Sequence, residues 1–285
     1  MKYFLLFICM LFAAGASAAV GEVRWHNENT DTIRITEVLN ETAMHEFANP
    51  SVRVGYIARK FIGTPYVAHT LEGEKELLTV NMDELDCTTF VDVALAMAYT
   101  VGEHRTSWQD FLFNLQRMRY RNGEIDGYAS RLHYNCDWAI DNIHRGNITD
   151  VTSNFSKCKY QVRSINFMSG HRDSYAALAD SASYARVRDI ENGYRNHRFP
   201  YIKTVDLASK EINSRLREGD ILAFVSKLKD LDVTHMGIVV KENGETRVLH
   251  ASMTNGKVEI TDVTLAEFVK RNRNWIGVRI YRLKE

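Results

Sequence analysis

Between Thr88 and Ala98 the chain carries one charged side chain, Asp92, among Phe90, Val91, Val93, Ala94, Leu95 and Met97. A helix of that make-up has no face suited to water and must be buried on most sides. The remaining elements therefore have to pack around it. Its start falls at Asp86-Cys87-Thr88. A helix start carries partial positive charge, which stabilises a thiolate and lowers the thiol pKa. Cys87 is thus placed as a nucleophile, although an inert buried thiol or half of a disulfide remains open on this observation alone.

Flanking patterns set the fold class. Residues 22–40 are polar and mixed and carry no clear assignment. Apolar residues at helical spacing run from Met44 to Thr64 and stop at Gly63-Thr64-Pro65. Leu77–Val80 reads as a short strand, and Trp108–Met118 as an amphipathic helix. Residues 120–205 are rich in Arg, Asn, Tyr and His, with helices expected over Trp138–Ile148 and Ser174–Val187. The last 70 residues or so read as strands: Ile221–Val225, His235–Lys241, Thr246–His250, Val258–Val263 and Trp275–Leu283. Asn243-Gly244 is a tight-turn signal that makes a hairpin of the second and third. Helices first and antiparallel strands after give an α+β domain with its helices on one side of the sheet.

The first residues concern location. Lys2, the apolar run Phe4–Phe12 and the small residues Ala16-Ser17-Ala18 have the pattern of a secretory signal peptide cut after Ala18. The expected organisation is a leader over 1–18 and a single domain over 19–285, exported to the periplasm. The apolar run is shorter than the roughly 20 residues a membrane span needs, so no membrane anchor is expected after cleavage. Lys+Arg and Asp+Glu both number 36, which leaves no global field for nucleic acid or an anionic surface. A monomer is expected. Cys9 falls within the leader, and Cys87, Cys136 and Cys158 remain. An odd count leaves at least one thiol unpaired or paired between chains. A disulfide between Cys136 and Cys158 would leave Cys87 free.

Ten histidines make a lone one uninformative. Two are better placed. His235 opens the strand Met236-Gly237-Ile238-Val239-Val240, and His250 closes the neighbouring strand across the hairpin. One ring can then orient the other, and a Cys–His–polar set supports acyl transfer through a thioester. The backbone N–H of Cys87 would serve as an oxyanion donor. No third ligand stands at metal-binding spacing, so neither a metal nor any other cofactor is expected.

Five blocks occur in order: Gly63-Thr64-Pro65-Tyr66, Asp86-Cys87-Thr88-Thr89-Phe90-Val91, Gly219-Asp220-Ile221-Leu222, Thr234-His235-Met236-Gly237-Ile238-Val239 and Leu249-His250-Ala251-Ser252. Together they resemble the NlpC-type papain-like cysteine hydrolases of bacterial cell walls. The resemblance implies a papain-like NlpC-type fold, with the nucleophile at the start of a buried helix packed on an antiparallel sheet. It implies Cys87 as nucleophile, His235 as base, His250 as third member and Tyr66 beside the site. Common members have Ser-Gly after the nucleophile, where this chain has Thr88-Thr89. They have Trp-Gly-Gly after the tyrosine, where this chain has Val67-Ala68-His69. Cys87 and His235 are 148 residues apart, far more than in the minimal fold. This length resembles the N-acetylmuramoyl-L-alanine amidase-like branch, with an inserted lobe over about 104–205.

That branch is associated with cutting between (anhydro-)muramic acid and L-alanine, so a muropeptide or peptidoglycan fragment is the expected partner. Typical members instead cut the γ-D-glutamyl–diamino acid bond. Acyl transfer to an amine, and muropeptide binding without cleavage, are the further alternatives. A sugar pocket needs aromatic faces with polar rims, for which His133, Tyr134 and Trp138 are candidates. Arg131 is a candidate partner for a stem carboxylate. Asp86 and Thr88 flank the nucleophile and are candidate substrate contacts.

Overall fold

The computed structural model describes residues 20–284. The expected leader lies outside them. Among the described residues no helix is long and apolar enough to cross a membrane.

The chain opens with strand β1 (Val23–Trp25) and helix α1 (Glu28–Ala43), in the stretch that patterning leaves unassigned. Asn27 starts α1 by accepting the Thr30 N–H on its side chain. The helix expected over 44–64 is shorter, α2 (Pro50–Arg59). Asn49 caps it and Pro50 takes a first-turn position, where its missing N–H costs nothing. Strand β2 (Leu78–Val80) pairs with β1 in parallel. Helix α3 (Cys87–Gly102) and helix α4 (Trp108–Arg119) follow, both where the apolar spacing puts them.

The lobe contains α5 (Asn135–His144), β3 (Ile148–Asp150), β4 (Cys158–Arg163), α6 (Phe167–Gly170), α7 (Ser181–Gly193) and β5 (His197–Lys203). The remainder is α8 (Lys210–Arg215), β6 (Ile221–Ser226), β7 (Val233–Glu242), β8 (Glu245–Ser252), β9 (Lys257–Ile260), α9 (Leu265–Arg271) and β10 (Trp275–Leu283). The main sheet runs β4-β5-β10-β6-β7-β8-β9, with β3 also on β10. Its pairings are antiparallel. Asn243 and Gly244 sit at φ +51° and +81°, as a two-residue hairpin turn requires, and they set Glu242 opposite Glu245.

The lobe's strands β3, β4 and β5 extend the main sheet. β4 is an edge strand with Tyr160 and Val162 exposed, so it lacks the buried alternation that would reveal it. Helices also lie on both faces of the sheet rather than one. Ile221, Ala223, Ile238 and Val240 pack with α1–α4, whereas Leu222, Phe224, Val239 and Val248 pack with Ile212, Leu265 and Val269 of α8 and α9. This is why all six residues of β6 are buried.

Gly219 links these layers. It sits at φ +81°, and a Cβ there would stand 1.6 Å from the Ser51 carbonyl oxygen at the start of α2. The adjoining Asp220 is buried and pairs with Arg282 at 2.7 Å.

Asp92, the single charge of the buried helix, is met by Arg119 of α4 at 3.0 Å. Arg119 Nη1 also donates to the Thr79 carbonyl at 2.7 Å. Both side chains are almost fully buried, so neither charge has water to fall back on. Arg119→Met should therefore cost about 3–5 kcal/mol of stability, since it strands a carboxylate. The double variant Asp92→Leu with Arg119→Met should lose less than Arg119→Met alone. Denaturant unfolding of the three proteins checks this ordering.

Candidate active site

Asp86 starts α3. Its Oδ1 accepts from the Thr88 and Thr89 N–H groups at 2.9 and 2.7 Å, and Thr89 Oγ1 accepts in return from the Asp86 N–H at 2.8 Å. This capping box places Cys87 in the first turn. The Cys87 N–H, a first-turn donor with no partner one turn back, meets its own thiol. The thiol accepts from the Met236 N–H of β7, and Thr88 Oγ1 lies 4.0 Å away.

The hairpin supplies the imidazoles. His235 Nε2 and His250 Nδ1 are 2.8 Å apart, with the rings nearly perpendicular. Alternation puts His235 and Gly237 on one face of β7, and the register puts His250 opposite Gly237. A Cβ on Gly237 would come within 3.2 Å of His250 Cβ and 2.7 Å of Val248 Cγ1. The missing side chain leaves the space through which the two rings meet.

At the edge of this hairpin β7 carries a bulge, with Phe224 opposite His235 and Val225 opposite Val233, so Thr234 is the extra residue. Trp275 Nε1 donates to Thr234 Oγ1 at 3.0 Å, and its ring lies parallel to His235 at 5.6 Å. Phe268 packs against His250 and Trp275. These two aromatic residues were not singled out from sequence. The signal that points to Trp275 is its place at the start of a strand beside β6.

Helix α3 packs on the face of Met236 and Ile238, whereas His235 lies with Phe224 and Trp275. The two sides meet at the open end of β7, where Cys87, Thr88 and His235 line one cavity of about 70 Å³. His133, Tyr134 and Trp138 line it too. His133 Nε2 is held 2.8 Å from the Tyr128 carbonyl, the Tyr134 hydroxyl donates to Glu191 at 2.7 Å, and Trp138 packs edge-on against Tyr281. Their polar groups are largely spent within the protein, so they shape the cavity more than they reach into it.

Arg131 does not join them. It is buried, pairs with Glu72 at 2.7 Å and Glu76 at 3.4 Å, and covers the Tyr128 ring. Its charge is met by these two carboxylates within the protein. Asp86 likewise commits one carboxylate oxygen to the cap. Tyr66 is half-buried, and the nearby Cys87 and Asp86 join burial in pushing its hydroxyl up to about 12. All three cysteines are free. Cys136 lies in the core of the lobe and Cys158 with the residues on the far sheet face, and no disulfide joins them. Among the described residues no cluster of three His, Cys, Asp or Glu side chains could hold a metal ion.

The electrostatics reverse one expectation. Burial and the Asp86 charge push the Cys87 thiol up to about 12, against the opposing pull of the Met236 N–H. Burial pulls His235 down to about 3 and His250 to about 4, the latter partly offset by Glu259. The cap that orders the helix start thus adds its negative charge to burial in keeping the thiol protonated. At rest the fold favours a neutral thiol at Cys87 and a neutral imidazole at His235, which line the same cavity.

Two outcomes follow. Alkylation of Cys87 by iodoacetamide, read by peptide mass spectrometry to separate it from Cys158, should be slower at pH 6–8 than that of a free thiol. It should keep rising above pH 9; a plateau below pH 7 would instead show a preformed ion pair. His133, pulled to about 3 by burial, joins the other two as a histidine held neutral by the fold. Each binds a proton more readily unfolded, at about 6.5, than folded. Stability is therefore complete above about pH 6.5 and falls on acidification, by up to about 2 kcal/mol per histidine at pH 5. Melting temperatures between pH 7 and 5 test this, and a flat profile contradicts it.

Comparison with known proteins agrees with this architecture. A family model for AmiA-like, N-acetylmuramoyl-L-alanine amidase-like proteins matches residues 56–278. Two crystal structures of an N-acetylmuramoyl-L-alanine amidase from Bacteroides uniformis are 36% identical to the chain. They superpose with a TM-score of 0.79, covering 83% of this chain and 99% of theirs. A Bacteroides fragilis structure carrying a provisional xylanase name is 38% identical, with a TM-score of 0.75, and covers 79% of this chain and 99% of its own. A Legionella pneumophila protein of family DUF1460, 20% identical with a TM-score of 0.70, shares the fold over 90% of this chain and 96% of its own. No curated protein matches. The chain belongs to the AmiA-like, N-acetylmuramoyl-L-alanine amidase-like family.

Proposed function

We propose that this protein is an exported, periplasmic amidase that hydrolyses the bond between N-acetylmuramic acid, in ordinary or anhydro form, and L-alanine in peptidoglycan fragments. In this reading it is an NlpC-type, papain-like enzyme with Cys87 as nucleophile, His235 as base and His250 as the group that orients it. The observation that carries the reading is the bond between His235 and His250 beside a helix-start cysteine, in a chain of the amidase-like family.

The roles follow from the atoms. His250 engages His235 Nε2, which leaves Nδ1 as the base. Nδ1 takes the thiol proton as Sγ bonds to the lactyl carbonyl carbon, and the carbonyl π electrons move to oxygen. The Cys87 N–H, a first-turn donor of α3, is the group assigned to that oxyanion. Collapse breaks the C–N bond, and the imidazolium returns its proton to the departing alanine nitrogen. Water, deprotonated by the same imidazole, then hydrolyses the thioester and regenerates the thiol. A thiol held neutral at rest suits this sequence, because the proton moves only when the carbonyl is in place.

Incubation of the protein from residue 19 with anhydromuramyl tetrapeptide should release a tetrapeptide beginning with L-alanine, identified by mass spectrometry. Cleavage only after D-glutamate would replace this reading with the endopeptidase one, and transfer products with added amines would replace it with acyl transfer. Cys87→Ala and His235→Ala should each lower kcat by about 10³-fold or more, and His250→Ala by less. If Cys87→Ala turns over like the unsubstituted protein, the assignment of the nucleophile is wrong.

A further inference from the structure

A larger cavity, of about 550 Å³, shares His235 with the cavity at Cys87 but is not itself lined by Cys87. It is bounded by the β8–β9 connection, the turn before α9 and the segment from Arg271 to Trp275. Phe268 and Trp275 form an aromatic wall next to His235 and His250. Its volume falls in the range, about 300–1,000 Å³, of small-molecule sites.

The charged groups facing it are Glu259, Asp262, Arg271 and Arg273. Three of these are engaged. Glu259 accepts from Asn255 Nδ2 at 2.6 Å; Arg271 pairs with Glu267 at 2.7 Å and lies 3.8 Å from Asp262. Arg273 has no ion-pair or hydrogen-bond partner among the described residues.

We propose that this cavity binds the leaving peptide, with Arg273 as the partner of its carboxylate. The inference rests on the hydrolysis proposed above, and on proton bookkeeping. The imidazole that activates the thiol must hand its proton to the departing nitrogen, so that nitrogen lies on the side of His235. The cavity that shares His235 but is not lined by Cys87 therefore takes the amine half of the substrate, while the acyl half stays at Cys87. For a muramoyl amide, the amine half is a short peptide bearing several carboxylates and an amine. An aromatic wall, one uncommitted guanidinium and a carboxylate on the rim match that chemistry. Arg273, placed after α9, would thus set which stems are accepted.

The test is calorimetric titration of L-alanyl-γ-D-glutamyl-diaminopimelate into the Cys87→Ala protein and into the same protein carrying Arg273→Glu. Arg273 is exposed, so its replacement leaves the fold intact, and an unchanged melting temperature checks this. The peptide should bind to the first protein and lose about tenfold or more in affinity to the second. Its fully amidated form should bind weakly to both, and N-acetylmuramic acid should be indifferent to Arg273→Glu. Absence of peptide binding at millimolar concentration overturns the proposal. So does equal binding to both proteins, or a loss confined to the sugar. Because the titration needs no turnover, it stands apart from the product assay: cleavage at another bond would sink the proposed function while the titration still decides what the cavity holds.

Discussion

A helix with no surface of its own is the constraint on which this structure depends. Helix α3 has to be enclosed, and α1, α2, α4 and one face of the main sheet enclose it. Its one charge is answered inside the core by Arg119. Its first turn reaches solvent at Thr88, and that turn carries Cys87. The thiol is thereby pinned to a rigid support against the β7 backbone, whose Met236 N–H it meets. In the proposed mechanism, a nucleophile fixed at the junction of helix and sheet needs a base delivered to the same end of the sheet.

The hairpin of β7 and β8 delivers it, and three local devices tune it. The Asn243-Gly244 turn sets the register that brings His250 opposite Gly237. The missing side chain of Gly237 lets the rings approach. The bulge at Thr234 and the Trp275 that bonds it hold the His235 plane. Each acts through a different physical means, namely backbone conformation, volume and stacking. Together they orient one imidazole with little freedom, which matters because proton transfer depends steeply on geometry.

Electrostatics at the site show two roles of one residue in conflict. Asp86 caps α3 and thereby makes the helix start possible. Its charge also stands beside the sulfur and, with burial, keeps the thiol protonated. A helix start alone favours a thiolate; burial and the carboxylate that caps this one push the other way. The site is accordingly poised to move a proton rather than to store a separated charge.

Much of this was legible in the chain. The apolar run after Thr88, the Asn-Gly turn and the alternation of the last strands are local patterns with local causes, and they placed Cys87, His235 and His250 on their elements. Other parts depend on partners distant in sequence. The lobe's strands join the sheet at an edge, where exposed side chains erase alternation. Arg131 reads as a free cation until Glu72 and Glu76 are seen folded against it. The sign of the shift at Cys87 depends on how far the surrounding chain excludes water. The sequence by itself determined which elements carry the proposed nucleophile, base and orienting group, because helix and strand periodicity are properties of neighbours along the chain. Only the tertiary structure decided which charges were already spent, how the thiol titrates and that a second cavity adjoins His235. Burial, pairing and enclosed volume belong to the packed chain and to no segment of it.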